Sequence, residues 1–264
     1  MPKYAIIGGS GVYDPQLLEQ TKSEIVSTNY GVVEVQVGYY QGLKIAFIPR
    51  HGGDHSLAPH RINYRANMKA LHQLGVQAII ATAAVGSMNI DLQPGHFVLC
   101  DQFLDFTKNR INTFFEGGVE GVRHCDMTEP YCTALRAALA HVGAEKNLSL
   151  HSSGCYVCCE GPRFETAAEI RMYRQLGGDV AGMTGVPEVC LARELGMCYA
   201  NVSIVTNMAA GISLGQLTHD EVIAAMQQSV GDVRSLIMDS LKMMETEQLQ
   251  FAHTANCCRG VADA

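Results

Sequence analysis

Three short segments of this 264-residue chain carry side chains able to hold a flat heterocycle with polar edges. They are Glu160-Gly161-Pro162-Arg163-Phe164-Glu165-Thr166, Met183-Thr184-Gly185-Val186-Pro187-Glu188 and Val205-Thr206-Asn207. Together they supply an aromatic ring, a carboxylate, a hydroxyl and an amide, the mixture a small-molecule pocket uses. Phe164 can stack on or edge against a ring, and Met183 offers a soft apolar contact; alone, each would be an ordinary core residue. An ionised Glu165 accepts hydrogen bonds and so suits a ring N–H, whereas the Asn207 amide both donates and accepts.

Other residues suit one small anion. Arg50 brings a planar, permanently charged fork, and the adjacent His51 can donate or share charge. Gly8-Gly9-Ser10-Gly11 follows an apolar run and predicts a strand-to-loop turn, whose glycines admit backbone N–H groups to an oxyanion while Ser10 donates its hydroxyl. The turn lacks the third glycine of a dinucleotide fingerprint, which argues against a Rossmann oxidoreductase. His51, His55 and His60 lie in a glycine-containing loop rather than on one helix face, and Cys155, Cys158 and Cys159 have no second ligand pair at metal spacing. No metal is expected.

A net charge of −7 argues against a general nucleic-acid binder and still allows one phosphate, held locally. No apolar run reaches bilayer length and the N-terminus lacks a basic segment with a cleavage site, so a cytoplasmic protein without membrane contact is expected. The ten cysteines then read as reduced core residues, with Cys257-Cys258 in a tail that is expected to fray from about residue 245. A hydrophobic content of 47% suits one domain spanning residues 1–264.

These groups need a scaffold. Residues 4–7, 45–48, 78–81 and 97–100 are short apolar runs that predict buried strands, and 155–159 also suits a strand. Helical spacing predicts helices over 64–74, 130–141, 166–176, 187–195 and 218–243. The alternation implies an α/β protein with a mostly parallel or mixed sheet covered by helices on both faces.

In order and spacing the chain resembles the methylthioadenosine phosphorylase branch of the purine nucleoside phosphorylases, from Tyr4-Ala5-Ile6-Ile7-Gly8-Gly9-Ser10-Gly11 to the helix near His219. Pro49-Arg50-His51-Gly52, Ile62-Asn63-Tyr64-Arg65-Ala66-Asn67, Ala84-Val85-Gly86-Ser87 and Leu191-Ala192-Arg193-Glu194 carry the same likeness. The resemblance implies the nucleoside phosphorylase fold, three α/β/α layers around a mixed, partly barrel-like sheet. It also implies reversible phosphorolysis, with orthophosphate as co-substrate and no cofactor. It places Ser10, Arg50, His51, Ala83, Ala84 and Thr184 on phosphate, the alanines through their main chain, and Phe164, Met183, Asn207, Met208 and Ala209 on the nucleoside. Asn207, Arg50 and His51 take the catalytic roles. Relatives assemble as homotrimers or dimers of trimers with a neighbour near the sugar's 5′ end, and His124 is the residue nominated for that contact.

Departures from the family pattern bear on the substrate. Adenosine-type relatives have a small hydroxyl residue where Glu165 stands and aspartates at the positions of Asn207 and Ala209. Glu165 accepts from the N1–H of a 6-oxopurine but meets a lone pair on adenine, while Asn207 donates to O6 and accepts from a protonated N7. His219 replaces a residue that is usually apolar in methylthio-selective relatives and favours a 5′-hydroxyl. Inosine and guanosine are therefore the expected substrates, ahead of 5′-methylthioinosine and methylthioadenosine. A nucleoside hydrolase and a pocket-retaining regulator without turnover are the rivals from other classes.

Overall fold

The computed structural model describes residues 1–8, 12, 18–53, 56–212, 218–246 and 260–261. In chain order the elements are β1 (Tyr4–Gly8), β2 (Glu19–Thr28), β3 (Gly31–Tyr40), β4 (Leu43–Pro49), α1 (Tyr64–Gln73), β5 (Ala78–Ser87), β6 (Phe97–Leu99) and β7 (Gln102–Phe106). They continue with α2 (Thr133–Glu145), β8 (Leu150–His151), β9 (Cys155–Cys159), α3 (Ala167–Gln175), β10 (Val180–Gly182), α4 (Gly185–Glu194), β11 (Cys198–Met208) and α5 (His219–Thr246).

The period of two along each apolar strand builds two cores at once. Ala5 and Ile7 of β1, Ala46 and Ile48 of β4, and Ile79 and Ala81 of β5 face Met68 and Leu71 of α1 and Val189 and Ala192 of α4. The alternate residues Tyr4, Ile6, Ile45, Phe47, Ala78 and Ile80 face Leu135 and Leu139 of α2 and Val233, Leu236 and Leu241 of α5. A sheet sandwiched between two helix pairs follows, the α/β/α layering expected. A third cluster packs Ile170 and Tyr173 of α3 on Val157, Cys159 and Ala181. Cys100, Cys132, Cys158, Cys159 and Cys198 are buried, as core cysteines should be.

The sheet is mixed and has 11 strands, ordered β2-β3-β4-β1-β5-β10-β9-β7, with β11 joining β5 to β6 and β6 pairing β8. β5 is its spine. β11 runs parallel along the whole of one edge, whereas the other edge is shared between β1, parallel over residues 78–81, and β10, antiparallel at Gly86 and Ser87.

The local signals work as their chemistry requires. The Asn63 side chain caps α1 by accepting from Ala66 N, and Gly75 (φ +79°) ends the helix. Thr166 and Glu169 form a reciprocal capping box on α3, and Thr218 and Glu221 do so on α5. Two expected starts shift. α2 begins at Thr133 rather than 130 because Cys132 N–H donates to the Tyr199 carbonyl, and α4 begins at Gly185, which places Pro187 in the first turn where no N–H is needed. Cys257 and Cys258 and most of the tail from 247 lie outside the described residues.

A Cβ on Gly182, the last residue of β10, would overlap the buried hydroxyl of Tyr156, whereas one on Gly231 in α5 meets nothing within 4 Å. Gly182→Ala should therefore lower stability by about 1–3 kcal/mol. Gly231→Ala should leave it unchanged or raise it by about 0.4–1 kcal/mol, both read from urea unfolding midpoints.

Candidate active site

The two partners of β5 leave a gap between them, and the site occupies it. β1 departs after Ala81 and β10 arrives at Gly86, so among the described strands none pairs that edge over residues 82–85. A cavity of about 380 Å³, within the range for small ligands, is lined there by Ala83, Ala84, Val85 and Gly86. The remaining walls include Arg50, His51, Phe164, Glu165, Met183, Thr184, Asn207, Ala209 and, from α5, Val222. Ten of the residues expected at the site thus share one cavity. Met208 is not among its walls. Ser10, His55 and the side chain of His219 lie outside the described residues. His124 is exposed and is not among the cavity walls.

At the end expected to take the anion, Arg50 lines the cavity and is only 2% exposed. Its Nε and Nη2 grip the Glu188 carboxylate, with Nη2 donating at 2.8 Å, and Nη1 donates to the Thr82 carbonyl at 2.7 Å. The Tyr199 hydroxyl donates to the same carboxylate at 2.7 Å. Burial alone would lower the Arg50 pKa, but the charge and hydrogen bonds of Glu188 outweigh it and hold the guanidinium firmly protonated. Three of its five N–H groups are committed and two remain for a ligand.

The other anion contacts follow from backbone parity. Thr82 sends its carbonyl to Arg50, and Met88 donates its N–H to Asp179 beside β10, so even-numbered residues of β5 face the open edge. Of the two alanines expected to contact phosphate, it is Ala84 whose N–H points there, while Ala83 contributes bulk to the wall. Thr184 sits at the N-cap of α4 without a capping bond from its side chain, which leaves the hydroxyl to the cavity. The N–H groups of Thr184 and Gly185 turn inward instead, to the Tyr156 hydroxyl at 3.2 and 3.4 Å. His51 donates Nδ1–H to the Leu57 carbonyl at 2.8 Å, so donation from this ring to an anion comes through Nε2 and requires the imidazolium.

The base end lies about 13 Å along β5, four residues from Thr82 to Gly86. The β5–β11 register shifts between Val205 and Asn207, and this bulge at Thr206 re-aims the end of β11 into the cavity. Asn207 is gripped from behind: Oδ1 accepts from the Thr206 hydroxyl at 2.8 Å and Nδ2 donates to the Met208 carbonyl at 2.9 Å. Met208 thus reaches Asn207 through its backbone carbonyl. One N–H and one lone pair of the amide remain. Gly86 must lack a Cβ, which would stand 3.1 Å from Asn207 Nδ2. Phe164, 40% exposed, stands at the mouth. Burial raises the Glu165 pKa above the ordinary carboxylate range, against the lowering effect of its own backbone N–H and of the Cys159 thiol.

Sequence reasoning passed over Glu188, Tyr199 and Tyr156. Glu188 left a readable trace, a carboxylate in the apolar stretch Val186-Pro187-Glu188-Val189-Cys190-Leu191, which demands a buried cation. Among the described residues no group of three or more His, Cys, Asp and Glu could hold a metal ion, and no helix is long and apolar enough to cross a membrane. Removing one partner of a buried ion pair strands the other, so Glu188→Ala should cost about 3–5 kcal/mol in chemical denaturation, and Tyr199→Phe, which removes one hydrogen bond, clearly less.

Comparison with known proteins agrees with this geometry. The model of the phosphorylase superfamily matches residues 3–242. The chain is 53% identical over 253 residues to the 6-oxopurine nucleoside phosphorylase of Pyrococcus furiosus, covering 94% of this chain and 95% of that protein. It is 45% identical over 250 residues to the S-methyl-5'-thioadenosine phosphorylase of the same organism, with 94% and 95% covered. A solved structure of methylthioadenosine phosphorylase from Schistosoma mansoni in complex with adenine superposes with a TM-score of 0.91 at 34% identity, over 97% of this chain and 96% of that one. With family agreement running from β1 into α5, the chain belongs to the phosphorylase superfamily and has the fold of the nucleoside phosphorylases.

Proposed function

We propose that the protein is a 6-oxopurine nucleoside phosphorylase that converts inosine or guanosine and orthophosphate to hypoxanthine or guanine and ribose 1-phosphate. The observation that carries this reading is the presence of Glu165 and Asn207 on the wall of one cavity, Asn207 some 13 Å along β5 from the Arg50 end. That spacing suits a nucleoside with a phosphate beneath its sugar. Relatives named 6-oxopurine nucleoside phosphorylase or probable 6-oxopurine nucleoside phosphorylase share 46–55% identity with the chain, against 48% for a probable S-methyl-5'-thioinosine phosphorylase and 42–45% for those named for methylthioadenosine.

Phosphate is received by the two remaining N–H groups of Arg50, Ala84 N–H, the Thr184 hydroxyl and His51, with Ser10 joining from the glycine turn. As the C1′–N9 bond breaks, its electron pair leaves with the purine and a phosphate oxygen bonds C1′. The phosphate dianion stabilises the cationic sugar; N7 of the leaving purine takes a proton from solvent, to which the phosphate gives up its own, while the Asn207 amide donates to O6 and accepts from N7–H. Glu165 accepts from N1–H, and in guanosine also from the 2-amino group. No covalent intermediate and no cofactor are needed. We place the enzyme in the cytoplasm, in purine salvage, as one domain assembled into a trimer or dimer of trimers, with His124 reaching a neighbour's pocket.

A second reading has one observation in its favour. Val222 and Leu57 give the cavity apolar surface of the kind a 5′-methylthio group would bury. His219, one turn before Val222, decides between that group and a 5′-hydroxyl.

Purine release from inosine, guanosine, adenosine and methylthioadenosine, each with and without phosphate, tests the proposal. Phosphate-dependent turnover of the first two is expected, and preference for methylthioadenosine would overturn it. Asn207→Asp should cost about 10²–10³-fold in kcat on inosine and narrow the margin over adenosine. Because only ionised Glu165 is a full acceptor, kcat/KM for inosine should fall as pH drops through its raised pKa, earlier than for an ordinary carboxylate. Glu165→Gln should remove that acid limb.

A further inference from the structure

Arg110 follows β7 and is not among the cavity walls, yet it bonds to three of the segments that form them. Its side chain is 2% exposed. Nη1 donates to the Met183 carbonyl and to the Tyr64 hydroxyl at 3.2 Å, and Nη2 donates to the carbonyls of Cys159 and Glu160 at 3.2 and 2.5 Å. The Tyr64 hydroxyl in turn donates to the carbonyl of Pro59, itself a wall residue. Nε stands 3.8 Å from the Glu160 carboxylate.

These acceptors lie where two strands part. β9 and β10 are paired up to Cys158 and Gly182. One residue further on, β9 leads into the segment that carries Phe164 and Glu165, and β10 leads to Met183 and Thr184. Carbonyls at the end of such a ladder lose their strand partners and need other donors. Three N–H groups of one rigid, planar cation supply the carbonyls of Met183, Cys159 and Glu160, a fourth goes to the Tyr64 hydroxyl, and together they fix the separation of the two arms. On the other flank Gly161, at φ +65°, lies against Met183 so closely that a Cβ would meet its sulfur.

We propose that Arg110 is a positioning residue: its guanidinium, wedged between the diverging ends of β9 and β10, sets the distance between the arm that holds the base and the arm that holds sugar and phosphate. This rests on the phosphorolysis reading above. The ammonium of a lysine cannot span acceptors on both arms, so charge and bulk alone will not suffice.

The test compares Arg110→Lys, Arg110→Ala and Tyr64→Phe with the wild type below their unfolding temperatures, with folding verified by circular dichroism. Arg110→Lys should lose about 10²-fold in kcat/KM on inosine, mostly in kcat, as expected when reacting groups are misplaced by about an ångström. Tyr64→Phe should show a smaller loss in the same direction. Arg110→Ala should regain part of kcat with millimolar guanidinium but not with ammonium at equal concentration, a rescue that a merely stabilising role would not show. Wild-type kcat/KM in folded Arg110→Lys, or equal rescue by both cations, overturns the proposal. Turnover by the wild type tests phosphorolysis separately. Hypoxanthine affinity with and without phosphate, by calorimetry, extends the comparison to a case without turnover: unchanged coupling between the two ligands in Arg110→Lys would then overturn the positioning role, and weakened coupling would support it.

Discussion

Arg50 and Glu188 put a full positive and a full negative charge where water scarcely reaches, both side chains being 1% exposed. Charges so placed are tolerable only when paired and fully hydrogen-bonded, and the fold has to supply the partners. It takes them from the end of β4, the centre of β5 through the Thr82 carbonyl, the first turn of α4, and β11 through the Tyr199 hydroxyl. Four elements distant in sequence are thereby held to one register around the floor of the cavity. The pair has a chemical consequence as well. Its net charge is zero, so in the proposed site a phosphate would meet a neutralised guanidinium rather than a bare cation. Affinity would then be completed by neutral donors, the Thr184 hydroxyl and the Ala84 N–H, which suits a co-substrate that has to bind, react and leave.

The same economy shapes the sheet. A β-strand in a buried sheet normally has both edges paired, and an unpaired edge is a liability because its polar groups seek partners. Here β5 has one edge fully paired to β11 and the other interrupted over residues 82–85. The interruption exposes backbone polar groups at the centre of the molecule, where neighbouring chains cannot reach them and a small ligand can. Binding is thus built into the topology: one strand turns away, another arrives antiparallel, and the ligand occupies the space between them.

Much of this was legible in the sequence because it depends on short-range chemistry. The apolar runs at 45–48 and 78–81, the cap at Thr166 and the glycine after α1 all specify local geometry through a few neighbouring residues. The cavity residues were legible for a different reason, since Glu165, Thr184 and Asn207 are polar groups in otherwise apolar surroundings. What escaped was long-range. The β2–β3 hairpin presents Ile25 and Val32 to solvent, at 66% and 67% exposed, which blurs an alternation whose core face is Val33, Val35 and Val37. Arg50 was legible as an anion-binding fork, but a sequence shows the donor and not the carboxylate 138 positions away that takes two of its N–H groups. The bond from Asn207 to the Met208 carbonyl was not legible, because the bulge at Thr206 that shapes this end of β11 has no signature in the residues themselves. Arg110 gave no signal, since its partners are backbone carbonyls that every residue type carries.

In the proposed site, selection of the base follows from burial more than from any single hydrogen bond. An exposed Glu165 would exchange a purine edge for water at little cost and discriminate weakly. Within the cavity its carboxylate is partly stripped of water, which is why its proton affinity rises. A ring N–H returns the donor that burial removed, and the ionised form becomes favourable again. Adenine offers a lone pair at the same point and leaves the deficit in place, so its binding requires an added proton or an unpaired charge. Asn207 faces the complementary choice on the far edge, with its amide already oriented by Thr206 and Met208 and unable to reverse its donor and acceptor without losing both bonds. Two groups fixed in this way, one by desolvation and one by its own strand, make the preference for a 6-oxo ring a property of the folded state rather than of the side chains taken singly.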